Sequence, residues 1–107
     1  MLNKLTLMGR LCADPELHVT QNDIPVCSFR LAVERNYANA GGERETDFFD
    51  VVAWRGTAEF ICNYFTKGRM IALDGRLQTR PWVDRHGGKR VSVEMVAESA
   101  YFCQGGM

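Results

Sequence analysis

Aromatic rings set among arginines are the residues of this chain best suited to recognition chemistry. Trp82 lies in the polar stretch Thr79-Arg80-Pro81-Trp82-Val83-Asp84-Arg85-His86-Gly87-Gly88-Lys89-Arg90. Phe48 and Trp54 share one face of an alternating segment with Asp50 between them, so that face is not a uniform hydrophobic wall. Tyr37 follows Arg35 in a loop, and Arg30 and Arg76 occupy the polar sides of their own segments. Flat π-faces can accept planar bases while cations track phosphates, which is what a base-stacking groove requires. Core packing is the ordinary fate of an aromatic, and Phe29, Phe49, Phe60 and Phe65 are read that way. Trp82 is harder to bury, because a hairpin tip offers little core to join.

Bond-making chemistry finds no comparable support. The chain has no nucleophile elbow, P-loop or H-E-x-x-H pattern, so no catalytic residue and no cofactor are expected. Glu43, Glu45 and Asp47 lack a calcium-loop spacing and read as a solvated loop entering a strand. The four cysteines, Cys12, Cys27, Cys62 and Cys103, form no close pair, and neither His18 nor His86 is near one, so no metal site is expected. Cys27 and Cys62 fall on apolar faces, where thiols behave as small hydrophobes. Reduced, inert thiols fit a cytosolic compartment.

Composition limits the remaining classes. A chain of 107 residues, 46% hydrophobic and 24% charged, suits one packed domain. No stretch approaches the roughly 20 apolar residues of a membrane span, and Arg10 interrupts the opening run where a signal peptide would need its apolar centre. Thirteen Lys and Arg oppose thirteen Asp and Glu, so net charge gives no cue for nucleic acid. Local charge does. Arg76, Arg80, Arg85, Lys89 and Arg90 face a single acid, Asp84, over that stretch.

The elements that must position these residues follow from periodicity. Period-two alternation marks strands around Leu5, Leu7 and Leu11, through Pro25–Val33, from Thr46 to Trp54, from Met70 to Leu77, and from Val91 through Ala97 toward Phe102. Gly9 is expected where the first strand bends or bulges. Ala58, Ile61, Cys62 and Phe65 recur at helical spacing, with Thr57 as the expected cap and Lys67-Gly68 as the end. Turns are expected at Asp14-Pro15, Gln21 to Pro25, Gly41-Gly42 and Gly87-Gly88. The order matches an all-β, five-stranded OB-fold, a Greek-key barrel with one helix between strands three and four. An SH3-like barrel or a sandwich has the same periodicity. The expected domain covers residues 1–103, with 104–107 as a short disordered end.

These residues also resemble a known family. Asn3-Lys-Leu-Thr-Leu-Met-Gly-Arg-Leu-Cys-Ala-Asp-Pro-Glu-Leu17, the segment from Pro25 to Tyr37, the run from Glu45 to Gly68 and above all Asp74-Gly-Arg-Leu-Gln-Thr-Arg-Pro-Trp-Val-Asp84 resemble bacterial single-stranded DNA-binding proteins. The likeness runs from Asn3 to about Phe102. It implies an OB-fold, a homotetramer, and sequence-independent binding that protects single strands in replication, recombination and repair. By position it implies stacking rings at Tyr37, Phe48, Trp54 and Trp82, and phosphate contacts from Arg35, Arg55, Arg76, Arg80 and Arg85. It also implies a cytoplasmic, nucleoid-associated protein with no enzyme activity and no membrane partner. Tyr37 and Phe48 stand where members often carry tryptophan, and Phe49-Asp50 replace a frequently polar or basic pair. The residues end at Met107 without the acidic tip through which the family recruits replication and repair proteins, so those partners stay open. A protein-interaction module of the same fold is the competing class, and the arginine-rich Trp82 segment argues against it.

Overall fold

The computed structural model describes residues 1–103, so the expected end at 104–107 lies outside the described residues. Alternating segments build β1 (Leu5–Leu11), β3 (Pro25–Glu34), β4 (Thr46–Trp54), β5 (Met70–Val83) and β6 (Lys89–Phe102). A short β2 (Glu16–Val19) precedes β3, and α1 (Arg55–Tyr64) joins β4 to β5. β1 pairs antiparallel with β5 from Leu5↔Gly75 to Arg10↔Met70. It then crosses to β3 at Arg10↔Ala32 and Leu11↔Leu31, closing the circuit β1-β5-β6-β4-β3. The parallel contact of β4 with β6, from Val51↔Met95 to Ala53↔Ala97, completes the barrel. This is the OB-fold.

Inward side chains follow the period. Cys27, Phe29 and Leu31 of β3, Val51 and Ala53 of β4, Ile71 and Leu73 of β5, and Met95 and Ala97 of β6 form one buried cluster. Ala58, Ile61 and Phe65 close it from the helix side. Each fully buried large apolar side chain contributes roughly 1.5–3 kcal/mol of transfer free energy. Two glycines permit the closure. A Cβ on Gly9 would run into the carbonyl of Ala32, where β1 leaves β5 for β3. One on Gly75 would strike the carbonyl of Val96 beside the bulge at Asp74/Gly75. Gly9 thus marks a close crossing of two backbones.

Three local expectations are corrected. The helix begins before Thr57: Trp54 is its N-cap, without a side-chain cap bond, and Arg55 adopts a left-handed φ of 57°. The Thr57 hydroxyl instead donates to the Glu98 carbonyl at 3.1 Å, tying α1 to β6. The helix stops at Tyr64, with the Phe65 N–H donating to the Ile61 carbonyl at 3.0 Å, while Gly68 serves the following turn with φ 83°. Finally, β5 does not end at Leu77. It runs to Val83 and pairs with β6 as far as Val83↔Lys89, forming an arm. Among the described residues no helix is long and apolar enough to cross a membrane.

Candidate nucleic-acid interface

Register decides which side chains share a face. On β4, Val51 and Ala53 point into the core, so Phe48, Asp50, Val52 and Trp54 lie on the opposite face, where Val52 is itself covered and the other three are exposed. The pairs Ala32↔Phe48, Arg30↔Asp50, Ser28↔Val52 and Val26↔Trp54 extend that face onto β3. Val52↔Val96 carries it onto β6, and Val96↔Arg76 onto β5. From Arg76 the same alternation places Gln78, Arg80 and Trp82 outward along the arm. Phe48, Trp54, Arg76, Arg80 and Trp82, distant in sequence, therefore share one continuous sheet face. The rings are available on it: Phe48 is 51% exposed, Trp54 43% and Trp82 42%.

A groove of about 430 Å³ crosses this face, with Ser28, Arg30, Asp50, Arg80 and Glu94 among its walls. Both signs of charge meet there. The Glu94 carboxylate accepts from the Gln78 amide at 3.0 Å and pairs with Arg80 Nε at 3.3 Å. Arg76 Nε lies 3.9 Å from Glu98. These acids hold the arginines extended over the sheet, and because the pairs are partly exposed they contribute little to stability. Arg30 lies over the Phe48 ring, its guanidinium carbon 5.1 Å from the centroid. The sequence places Arg30 on a polar strand face but not among the expected phosphate contacts, and it does not single out Glu94. Only the pairing of Arg30 with Asp50 across β3 and β4 brings that arginine beside Phe48.

The other expected residues lie at the borders of the face. Trp82 sits within the paired arm, opposite Arg90, and not at its tip. Arg85 occupies the tip, a turn closed by the Asp84 N–H donating to the Gly88 carbonyl at 2.9 Å. Asp84 organises this turn, accepting from the backbone N–H of His86 at 2.9 Å and of Gly88 at 2.8 Å, and from Arg90 Nε at 3.1 Å. The Gly88 N–H, then Arg90, hold the Asp84 carboxyl below its ordinary range. Arg55 follows Trp54 directly at the strand-to-helix junction. Among the described residues neither Arg55 nor Arg85 has an ion-pair partner.

Arg35 and Tyr37 belong to the β3–β4 loop. Tyr37 is 72% exposed. Arg35 is engaged by this chain's own acids: its Nε and one terminal nitrogen each donate to Asp47 at 3.0 Å, and the other terminal nitrogen pairs with Glu45. The bidentate bond from Arg35 lowers the Asp47 carboxyl. The Asn39 side chain accepts from the N–H groups of Gly41 and Glu43 at 2.9 and 3.1 Å, which shapes the rest of the loop.

The arm has a second face. Leu77, Val83, Val91 and Val93 project from the side opposite Trp82, and all are exposed. The β1 edge not covered by β5 is paired with β3 only at Arg10 and Leu11, with Gly9 packed against Ala32, leaving Leu5 to Met8 unpaired on that side.

Comparison with known proteins agrees with this architecture. The model of the single-strand binding protein family matches residues 2–103. The single-stranded DNA-binding protein of Caldanaerobacter subterraneus subsp. tengcongensis is 45% identical over 97% of this chain and 69% of its own length. That of Halalkalibacterium halodurans is 49% identical over 97% of this chain and 62% of its own. Single-stranded DNA-binding protein A of Bacillus subtilis is 45% identical, with 97% of this chain and 60% of its own length aligned. The chain thus spans between three fifths and seven tenths of these relatives. With its OB-fold and a match along nearly all of its residues, the chain belongs to the single-strand binding protein family.

Proposed function

We propose that this chain binds single-stranded DNA without sequence preference and protects exposed strands during replication, recombination and repair. The observation that carries the reading is the single sheet face shared by Phe48, Trp54 and Trp82 with Arg76 and Arg80. Rings supply stacking that every base can satisfy, and the arginines supply the salt-sensitive part of the affinity. Tyr37 extends the stacking surface from the β3–β4 loop, while Arg55 and Arg85 add phosphate contacts at its borders. Arg35 joins them when a phosphate displaces its own acids. The names of the relatives support the ligand class. The chemistry is binding alone and makes or breaks no bond of the strand.

Assembly belongs to the same reading. The unpaired Leu5–Met8 edge and the exposed apolar side of the arm are surfaces that a second copy can cover, with Phe49, expected in the core but exposed, adding apolar area, and a homotetramer is the proposed product. A nucleoid-associated protein of the cytoplasm follows from the same function.

Titration with oligothymidylate tests the ligand. Tryptophan fluorescence should be quenched, and duplex DNA at equal phosphate should compete poorly, because a duplex hides the base faces. Displacement by duplex as effective as by single strand would remove the stacking mechanism. Light scattering tests the assembly, and a monomer mass across micromolar concentrations would overturn it.

A further inference from the structure

Cys27 of β3 and Cys62 of α1 meet across the helix–sheet interface with their sulfur atoms 3.2 Å apart. All four cysteines are free thiols. Cys27 is fully buried, whereas Cys62 is half-buried, so solvent reaches the pair from the helix side. Cys12 and Cys103 are half-buried. The expectation of inert thiols rests on the apolar faces that carry Cys27 and Cys62, and the contact between their sulfurs adds a reaction partner that those faces do not reveal.

We propose that Cys27 and Cys62 form a modification site, a thiol pair that a small hydroperoxide converts into an intramolecular disulfide. The sulfurs already face each other, so a bond of about 2.05 Å requires an approach of only about an ångström. Burial, and then the neighbouring Cys62 thiol, push Cys27 far above the usual thiol range. Cys27 therefore stays protonated, and Cys62 is the sulfur that meets the oxidant.

The chemistry balances in two steps. The Cys62 thiolate attacks the terminal oxygen of the hydroperoxide; an S–O bond forms, the O–O bond breaks, and the leaving oxygen takes up the proton the Cys62 thiol released, departing as water from hydrogen peroxide or as an alcohol from an alkyl hydroperoxide. Cys27 then attacks the Cys62 sulfur of the sulfenic acid. An S–S bond forms, the S–O bond breaks, and the Cys27 proton leaves with the hydroxyl as water. Two thiols have lost two electrons in total, and one hydroperoxide has been reduced. A dithiol reverses the change by exchange. The bridge would enclose residues 27 to 62, including Arg35, Tyr37, Phe48 and Trp54, and would tie α1 to β3.

The test uses the purified chain, a modest excess of hydrogen peroxide, and alkylation of the remaining thiols before intact-mass and peptide analysis. Free thiols should fall from four to two. The mass before alkylation should drop by two hydrogen atoms, the linked peptides should be those of Cys27 and Cys62, and dithiothreitol should restore all thiols. The oxidised form should melt several degrees higher, because a long loop is closed in the unfolded chain. Cys27→Ala should leave Cys62 as a sulfenic acid that dimedone captures, whereas Cys62→Ser should leave Cys27 reduced at the same dose. Retention of all four thiols, linkage through Cys12 or Cys103, or sulfinic acid at Cys62 with Cys27 present would each overturn the proposal. The unaltered chain decides linkage by itself should either variant fail to fold.

Discussion

Trp82 lies directly opposite Arg90 in the β5–β6 arm, and the Nε of Arg90 is held by Asp84 at 3.1 Å. The ring therefore stands on a paired, hydrogen-bonded ribbon beside an anchored guanidinium. Such a platform is rigid without being buried.

That arrangement separates binding from stability at Trp82. Replacing a core tryptophan with Ala costs about 3–5 kcal/mol, but the half-exposed Trp82 ring has little core to lose. Trp82→Ala should leave the melting temperature nearly unchanged and weaken oligothymidylate binding by roughly 1–3 kcal/mol. Trp82→Phe should recover most of the loss, since a π-face remains. Thermal melts paired with fluorescence-anisotropy titrations read both quantities. A large fall in melting temperature with unchanged affinity would make Trp82 structural.

Arg55 should show the opposite balance. Its left-handed φ of 57° costs a residue with a Cβ roughly 1–2 kcal/mol, a strain that glycine does not bear. Arg55→Gly should therefore hold or raise the melting temperature while weakening the single-strand complex. The log–log salt slope should become shallower by about 0.7, the contribution of one neutralised phosphate. An unchanged slope would place Arg55 outside the bound strand's path.

Arg35 is covered by Asp47 and Glu45, so the acids of the β3–β4 loop compete with any phosphate for it. Asp47→Asn should loosen that hold, tighten binding at low salt and steepen the salt slope. The pair is exposed, so stability should change by no more than about 1 kcal/mol. Equal affinity in both proteins would mean that Arg35 is a strut of the loop.

Much of this was legible in the sequence, for physical reasons that differ by element. The strand through Phe29 and Leu31 and the helix through Ala58 and Ile61 each bury one face, and burial imposes the period that reveals them. β2 leaves no such period, because Glu16, Leu17, His18 and Val19 are all exposed and no face is constrained to be apolar. The outer half of β5 hid for the same reason: beyond Leu77 both sides of the arm meet solvent, and only pairing with β6 makes it a strand. Residue pattern alone therefore places Trp82 at a tip, whereas it lies in a ladder. The rings and arginines of the site could be named from residue type and resemblance, but their common face depends on register. Arg30 beside Phe48 and the contact of Cys27 with Cys62 depend on it too, because each joins segments that no local pattern connects.

Asp84 should make the arm sensitive to acid. Its carboxylate accepts from the Gly88 and His86 backbone N–H groups and from Arg90, all of which favour the charged form, and its folded value is lowered accordingly. Above the ordinary carboxylate value of about 4, the folded and unfolded chains both carry the charge, and the full stabilisation is present. As pH falls below that value the unfolded chain takes up the proton first, so stability drains away until the folded group protonates as well. Asp47, lowered by Arg35, contributes with the same sign, so the comparison must isolate the turn. Asp84→Asn keeps a side-chain acceptor for the backbone N–H groups but removes the charge. Melting temperatures measured between about pH 6 and pH 3 should fall more steeply in the unaltered protein than in Asp84→Asn, with the two curves converging at the acid end. The same acidification should loosen Arg90 and the tip that carries Arg85, weakening single-strand binding beyond the loss caused by global unfolding. Parallel melting curves would show that the turn is held by its backbone alone and that Arg90 gains nothing from Asp84.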